Sequence, residues 1–515
     1  MMKTRLSLFF VALVLTTTCA CNGNREHYLP DIDPVPFERY SSNLTFNSKV
    51  LDMVIKYDIL LPEGYDKDTD KSYPVVYAFH GYGDDNSSWN GQYMKGEAKI
   101  KSLEAEGLEP MIYVFPMGYT SYWCDRYDGT FPYMTMLAQE FIPMIDKTYR
   151  TKADREHRAT IGYSMGGFGA MVFAMKHPEL VSMSAPLSMS FRTDEQYMKE
   201  SQNGWNNQWG KVFGGVGESG PGRLTDYYKE HCPLHQFTSA NKDKYSGVRW
   251  FLTCGDNEEQ LLIANDDLHV LMRDNGYAHE YRVWDGGHST SYWRGAMEEV
   301  LPWFSSIMAG EDTWQKTLKE VKVPDNVSFS SEGVFETKAY SDAGHKGGVA
   351  LYLFHDGLSE DLVKDAIAIL QEGMSLKKLV ILPCDTQKKS ASGWVDFYKN
   401  TYPADSRQAI AIGKAGTSVY NSIDLFSAVY FENADMGTSV TANKNIFYYI
   451  GQCDEGSGYS SANALYKSCK ANGAEFEYRC RNHLEDTRTD MLTGIAYIKS
   501  NLHNFNSSTS LIQTK

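Results

Sequence analysis

The chain has 515 residues, more than one ordinary domain holds, so its length predicts two or more domains. Its net charge of −15 argues against nucleic acid or an anionic membrane surface as a partner. Aromatic residues make up 13%, including 34 tyrosines, which can supply sugar- or aryl-stacking surfaces as well as a core.

The N-terminus reads as a targeting segment. Met1-Met2-Lys3-Thr4-Arg5 is basic, and Leu6 to Leu15 is apolar but too short to span a bilayer permanently. Thr16-Thr17-Thr18-Cys19-Ala20-Cys21 resembles a bacterial lipoprotein cleavage site. Cys21, preceded by the small Ala20, is the expected lipidated residue, with Cys19 as the alternative. The expected location is therefore the outer membrane, facing periplasm or exterior, held by lipid.

Tyr73 to Phe79 predicts a buried strand that runs into His80-Gly81-Tyr82-Gly83. Such a turn can aim a backbone N–H, that of Tyr82, at a developing oxyanion. His80 is read as shaping this loop by hydrogen bonding rather than as a base. Next comes Ala159-Thr160-Ile161 followed by Gly162-Tyr163-Ser164-Met165-Gly166-Gly167, a G-x-S-x-G at a strand-to-helix junction. Only small residues fit beside a serine on so tight a turn, and the helix that follows aims its N-terminus at the oxyanion position. Ser164 is thus the expected nucleophile, and the Met165 N–H the second oxyanion donor.

Residues 202 to 244 interrupt the strand–helix rhythm and begin with Trp205 and Trp209 amid Gly and Asn. A segment of this kind can cap a pocket, so both tryptophans are substrate-stacking candidates, together with Trp89, Trp123 and Trp293. Trp250 to Gly255 predicts a strand ending in the acidic turn Asp256-Asn257-Glu258-Glu259. After another strand, Asp285-Gly286-Gly287-His288 places a histidine on a glycine-rich loop. A serine nucleophile needs an imidazole base with a carboxylate behind it, and the order here is Ser, acid, His. Glu258 is preferred as the acid, Asp256 is the alternative, and Asp285 is a third candidate. The cysteines from Cys124 to Cys480 are scattered and suggest neither a disulfide framework nor a metal site, and no cofactor is expected.

After a charged connection, the chain repeats itself. Phe251 to Gly276 aligns without a gap on Tyr448 to Gly473, and Glu280-Tyr281-Arg282 on Glu477-Tyr478-Arg479. Phe79-His80 matches Phe354-His355, and Ile161-Gly162 matches Ile412-Gly413. This predicts a second, shortened copy of the same fold, with Ala415 of Gly413-Lys414-Ala415-Gly416-Thr417 where the nucleophile stood. The gapless offset puts Glu455 opposite Glu258 and Glu485 opposite His288, with His483 nearby. The second copy is therefore expected to be non-catalytic.

Residues 35 to 305 resemble the esterase branch of the α/β-hydrolases that holds the feruloyl and acetyl-xylan esterases of carbohydrate esterase family 1. S-formylglutathione hydrolases and enterochelin esterases belong to the same branch. The resemblance rests on Tyr57 to Pro62, the His80-Gly81 turn, Val114-Phe115-Pro116, Glu140 to Pro143, the Ser164 elbow, and Gly286-Gly287-His288 with Trp293. It implies an α/β fold, a mostly parallel sheet with helices on both faces, and ester hydrolysis. In relatives the acid is usually an aspartate four residues after the strand end, where this chain has Glu258. The expected organisation is a signal peptide (1–21), a linker (22–34), an esterase domain (35–309), a linker (310–324), a degenerate hydrolase-like domain (325–505) and a tail (506–515). The resemblance implies an esterified plant polysaccharide or oligosaccharide as substrate, feruloyl esters first and acetyl-xylan second. A siderophore or small thioester hydrolase, and a glycan-binding lipoprotein with a vestigial fold, are the alternatives.

Overall fold

The computed structural model describes residues 39–284, 286–311, 321–325, 327–372, 374–453, 458–481 and 487–502. The signal segment with Cys19 and Cys21, and the residues Asp285, Glu455, His483 and Glu485, lie outside them.

Two sheets form in succession. The first contains β1 (Tyr40–Ser48), β2 (Met53–Leu60), β3 (Val75–Phe79), β4 (Ile112–Pro116), β5 (Arg158–Tyr163), β6 (Met183–Leu187), β7 (Arg249–Gly255) and β8 (Glu280–Trp284), in the order β1-β2-β4-β3-β5-β6-β7-β8. From β4 to β8 all neighbours are parallel, while β1 and β2 are antiparallel additions at one edge. Strands β3 to β6 are buried along their whole length, as parallel strands covered by helices on both faces must be.

The second sheet contains β9 (Phe335–Glu336), β10 (Val349–His355), β11 (Leu379–Asp385), β12 (Ser406–Ile412), β13 (Ala428–Glu432), β14 (Phe447–Cys453) and β15 (Phe476–Arg481). Its order, β15-β14-β13-β12-β10-β11-β9, reproduces that of the first sheet from β8 to β2, down to the antiparallel strand at the far edge. The helices that matter below are α1 (Met165–Lys176), α2 (Glu259–Asp274), α3 (Thr290–Met308), α4 (Ala415–Tyr420), α5 (Tyr459–Asn472) and α6 (Thr487–Asn501).

The registers correct the expected position of the second elbow. Phe79 pairs with Gly162 in the first sheet, and its counterpart Phe354 pairs with Ala411. Ser164 therefore corresponds to Gly413, and not to Ala415 as the dipeptide match had it. The neighbouring strand agrees, because Ser164 N–H donates to Leu187 O (3.0 Å) and Gly413 N–H to Glu432 O (3.1 Å). The Ile-Gly dipeptide shared by both copies is out of register by two residues, since strand pairing rather than local identity fixes the alignment.

The halves meet through like elements, as in an isologous dimer interface. Strand β8 runs beside β15, and side chains of α2 meet those of α5. Tyr466 donates to Asp267 (2.8 Å), Lys470 pairs with Asp267, Lys467 with Asp274, and the Arg273 guanidinium lies 4.9 Å from the Tyr459 ring centre. Trp284 meets Tyr497 of α6 at 5.6 Å. One apolar cluster passes through this junction, joining Leu268 and Tyr281 to Tyr466 and Tyr478.

Candidate active site

Strand β5 ends in a turn that places Ser164 at φ 58° and ψ −120°, a backbone conformation that costs an ordinary residue about 1–3 kcal/mol. Backbone packing leaves no alternative. A Cβ on Gly162 would lie 2.1 Å from Gly166 O, and one on Gly166 would lie 2.1 Å from Phe79 O. Helix α1 begins at Met165 and is buried through Met175, so its apolar length anchors the turn to the core.

Three side chains then form one hydrogen-bonded line. Ser164 Oγ lies 2.9 Å from His288 Nε2, and His288 Nδ1 lies 2.6 Å from Glu258 Oε2. A carboxylate only accepts, so Nδ1 carries the proton and Nε2 is free to accept the serine O–H. The Glu258 side chain is fully enclosed, while His288 is 39% exposed, which opens the serine end of the line to solvent. The other oxygen, Glu258 Oε1, accepts from the Gly255 N–H (3.0 Å) and from Ser188 Oγ (2.5 Å).

Ser188 was not legible as a site residue. It stands just past β6 at φ 44°, with its N–H on Thr253 O (2.7 Å), and its hydroxyl also accepts from Trp293 Nε1 (2.8 Å). The available signal was a serine at the end of the strand lying between the elbow strand and the acid strand. Trp293 in turn stands edge-on to the His288 ring at 4.9 Å and stacks on Tyr163 at 4.4 Å.

Asp256, the alternative acid, points elsewhere. Its Oδ1 accepts from the Gly286 N–H (2.8 Å), and its Oδ2 lies 2.5 Å from Arg479 Nη2. Burial pushes its carboxyl above the usual range, and Arg479 acts against that. His80 is buried with both nitrogens engaged. Nδ1 donates to Gly81 O (2.8 Å) and Nε2 accepts from the Gly118 N–H (2.8 Å), while burial holds its pKa down. Met165 N–H is the first of α1 and so lacks an acceptor within the helix. Tyr82 sits on the loop after β3 and is 47% exposed.

The five tryptophans are not substrate platforms. Trp123 and Trp205 have no exposed surface, Trp89 and Trp209 keep 2%, and Trp293 6%. Trp123 is stacked on Phe79 at 4.0 Å, and Trp89 packs on Tyr163 at 5.2 Å. Trp209 lies 4.5 Å from Tyr122, and Trp205 packs on Tyr197 while bonding Gly215 O (2.7 Å). A large ring stabilises the fold by about 25 cal/mol for each Å² it buries, and that gain placed these residues in the core. Their place in sequence beside the active loops is a by-product of those loops being anchored. No helix among the described residues is long and apolar enough to cross a membrane.

The order of the first sheet, the serine elbow at the end of β5 and the Ser–His–acid line after β5, β7 and β8 define an α/β-hydrolase. Residues 48–304, about half the chain, match the family described as "Putative esterase", and the chain belongs to that family through this region. It is 34% identical over 144 residues to an endo-1,4-beta-xylanase/feruloyl esterase of Xylanibacter ruminicola, covering 27% of this chain and 20% of that protein. It is 28% identical over 254 residues to an esterase of Mycobacterium tuberculosis, covering 45% of this chain and 52% of that protein. The chain thus spans about half or less of the length of these relatives. A solved ferulic acid esterase is 28% identical and aligns with 52% of this chain and 98% of its own, at a TM-score of 0.44.

Proposed function

We propose that this chain is a serine esterase acting on esters of plant cell-wall polysaccharide, with feruloyl esters preferred and acetyl-xylan second. The observation that carries this reading is the unbroken Ser164–His288–Glu258 line. Ser164 Oγ attacks the ester carbonyl as its proton passes to His288 Nε2. The Glu258 carboxylate stabilises the imidazolium, and the Tyr82 and Met165 N–H groups receive the oxyanion. Collapse of the tetrahedral species breaks the ester C–O bond, and Nε2 returns the proton to the departing sugar hydroxyl. Water, deprotonated by His288, then releases the acid and restores Ser164.

The feruloyl preference is supported by the name of the Xylanibacter relative, endo-1,4-beta-xylanase/feruloyl esterase. A glycan-binding protein with a vestigial fold would have no need of a strained serine or of an enclosed carboxylate aligned on an imidazole. Release of ferulate from arabinoxylan, compared with release of acetate from acetyl-xylan and turnover of p-nitrophenyl acetate, tests the reading. Turnover of p-nitrophenyl acetate without action on either polysaccharide would leave an esterase of small acyl substrates.

We further infer that the second half performs no acyl transfer, since glycine stands at its elbow. Anchoring by lipid at Cys21 is part of the same reading, and mass spectrometry of the mature N-terminus tests it.

A further inference from the structure

The loop that carries His288 is held from two sides. Asn257 N–H donates to Gly286 O (2.9 Å), and Asp256 Oδ1 accepts the Gly286 N–H (2.8 Å), two residues before the imidazole. Asp256 also precedes Glu258 by two residues, so one side chain ties the acid turn to the base loop. Its remaining oxygen is taken by Arg479 Nη2 at 2.5 Å, from strand β15 of the second half. Both side chains of this pair are only 4% exposed.

Arg479 is itself fixed in place. Its Nη2 pairs with Glu477 (3.1 Å), its Nη1 donates to Tyr478 O (3.4 Å), and its guanidinium lies 5.9 Å from the Tyr449 ring centre. A planar fork with several donors can hold two carboxylates at once in one orientation. Without it, Asp256 would be a carboxylate left in the interior with no cation, a state costly enough to move the side chain or bind a proton. Either response changes the oxygen that holds the Gly286 N–H. A proton turns the carboxylate into a neutral and weaker acceptor for that N–H, and movement of the side chain takes the oxygen away from the loop.

We propose that Arg479 is a positioning residue for the esterase reaction: the second half of the chain sets the His288 loop through the Asp256 carboxylate. This gives the degenerate half a part in turnover without chemistry of its own. It rests on the esterase reading above.

The test uses the full-length chain, comparing Arg479→Met, Arg479→Lys and Asp256→Ala with the unaltered protein. A p-nitrophenyl phosphonate, which releases one p-nitrophenolate for each Ser164 it modifies, counts the competent sites in every preparation. Turnover of p-nitrophenyl acetate is then expressed per competent site. A base displaced by about 1 Å costs about 100-fold, so Arg479→Met and Asp256→Ala are expected to lower kcat per site by about 10- to 100-fold. KM should stay within about twofold in both, Arg479→Lys should recover most of the loss, and the double variant should be no worse than the single ones. A purely structural pair would lower the number of competent sites and the Tm while leaving kcat per site unchanged, and that result overturns the proposal. Counting only competent sites keeps the comparison valid when a variant folds in poor yield. An unaltered protein that reacts with the phosphonate yet turns over no ester would defeat the esterase reading itself. One that turns over esters and is matched per site by Arg479→Met would defeat only this inference.

Discussion

Ser164 and Gly413 hold the same place in two copies of one sheet and share a positive φ, 58° and 57°. In the first copy a side chain is kept on that strained turn, and in the second the strain is relieved by having none. The consequence for activity is that all turnover should pass through Ser164. Ser164→Ala is expected to lower kcat by roughly 10⁴- to 10⁶-fold, the residue being what binding and the oxyanion donors supply. Adding Gly413→Ser to that variant should restore nothing, although the open space around Gly413 can accept a Cβ. Glu485 stands opposite His288 in the gapless alignment, and a hydroxyl without a base is a poor nucleophile at neutral pH. Turnover by the double variant on p-nitrophenyl acetate, above a mock purification, would refute the single-site account.

The two acidic candidates should separate cleanly. Glu258→Gln removes the charge that fixes the tautomer and stabilises the imidazolium, so kcat should fall by about 10³- to 10⁴-fold. Asp256→Ala should cost no more than the loop displacement described above. A larger loss at Asp256 than at Glu258 would reverse the assignment.

Ser188→Ala tests the support behind the acid. The substitution leaves Trp293 Nε1 without its acceptor and Glu258 Oε1 with one donor fewer, both in the interior. Each deprived group is expected to cost about 1–3 kcal/mol, read as a lower urea midpoint, with kcat lowered as well because Glu258 gains freedom. Unchanged kcat with lowered stability would restrict Ser188 to a structural part.

Acid should destabilise the first half before its carboxylates titrate. His231 is buried with its Nδ1 on Tyr227 O (2.7 Å), and burial, followed by repulsion from Lys176, lowers its pKa from 6.5 to about 4. The unfolded chain therefore binds a proton below pH 6.5 that the folded chain refuses. Stability is fully present above pH 6.5 and is lost as the pH falls from there towards 4. His231→Gln should flatten the urea midpoint across that window, and an unaltered slope would assign the effect to other groups.

Much of this site was legible because its signals are local. A serine between glycines after an apolar run, and a histidine on a glycine loop, state their geometry within a few residues. The choice of Glu258 over Asp256 rests on the place of the acid in the family the chain resembles, not on a local signal. Burial is different, because whether Trp123 faces solvent or Phe79 depends on a strand distant in the chain. Register is different too: the position of Gly413 is set by Glu432 across the sheet, so matching dipeptides by identity misplaced the second elbow. Ser188 and Arg479 act across long stretches of chain on groups that carry no motif of their own, and only the assembled sheets bring them to Glu258 and Asp256.

The meeting of β8 with β15 also bears on how the protein behaves on dilution. Two identical subunits joined by their sheet edges separate when their concentration falls, and whatever one lends the other is lost with it. Here the two halves are parts of a single polypeptide, so the local concentration of one for the other is set by the chain and not by the solution. Arg479 reaches Asp256 as readily in a nanomolar sample as in a millimolar one. The two edges left at the outer ends are β1, interrupted between Ser41 and Leu44, and the two-residue β9, neither of which offers a long flat template for further strands.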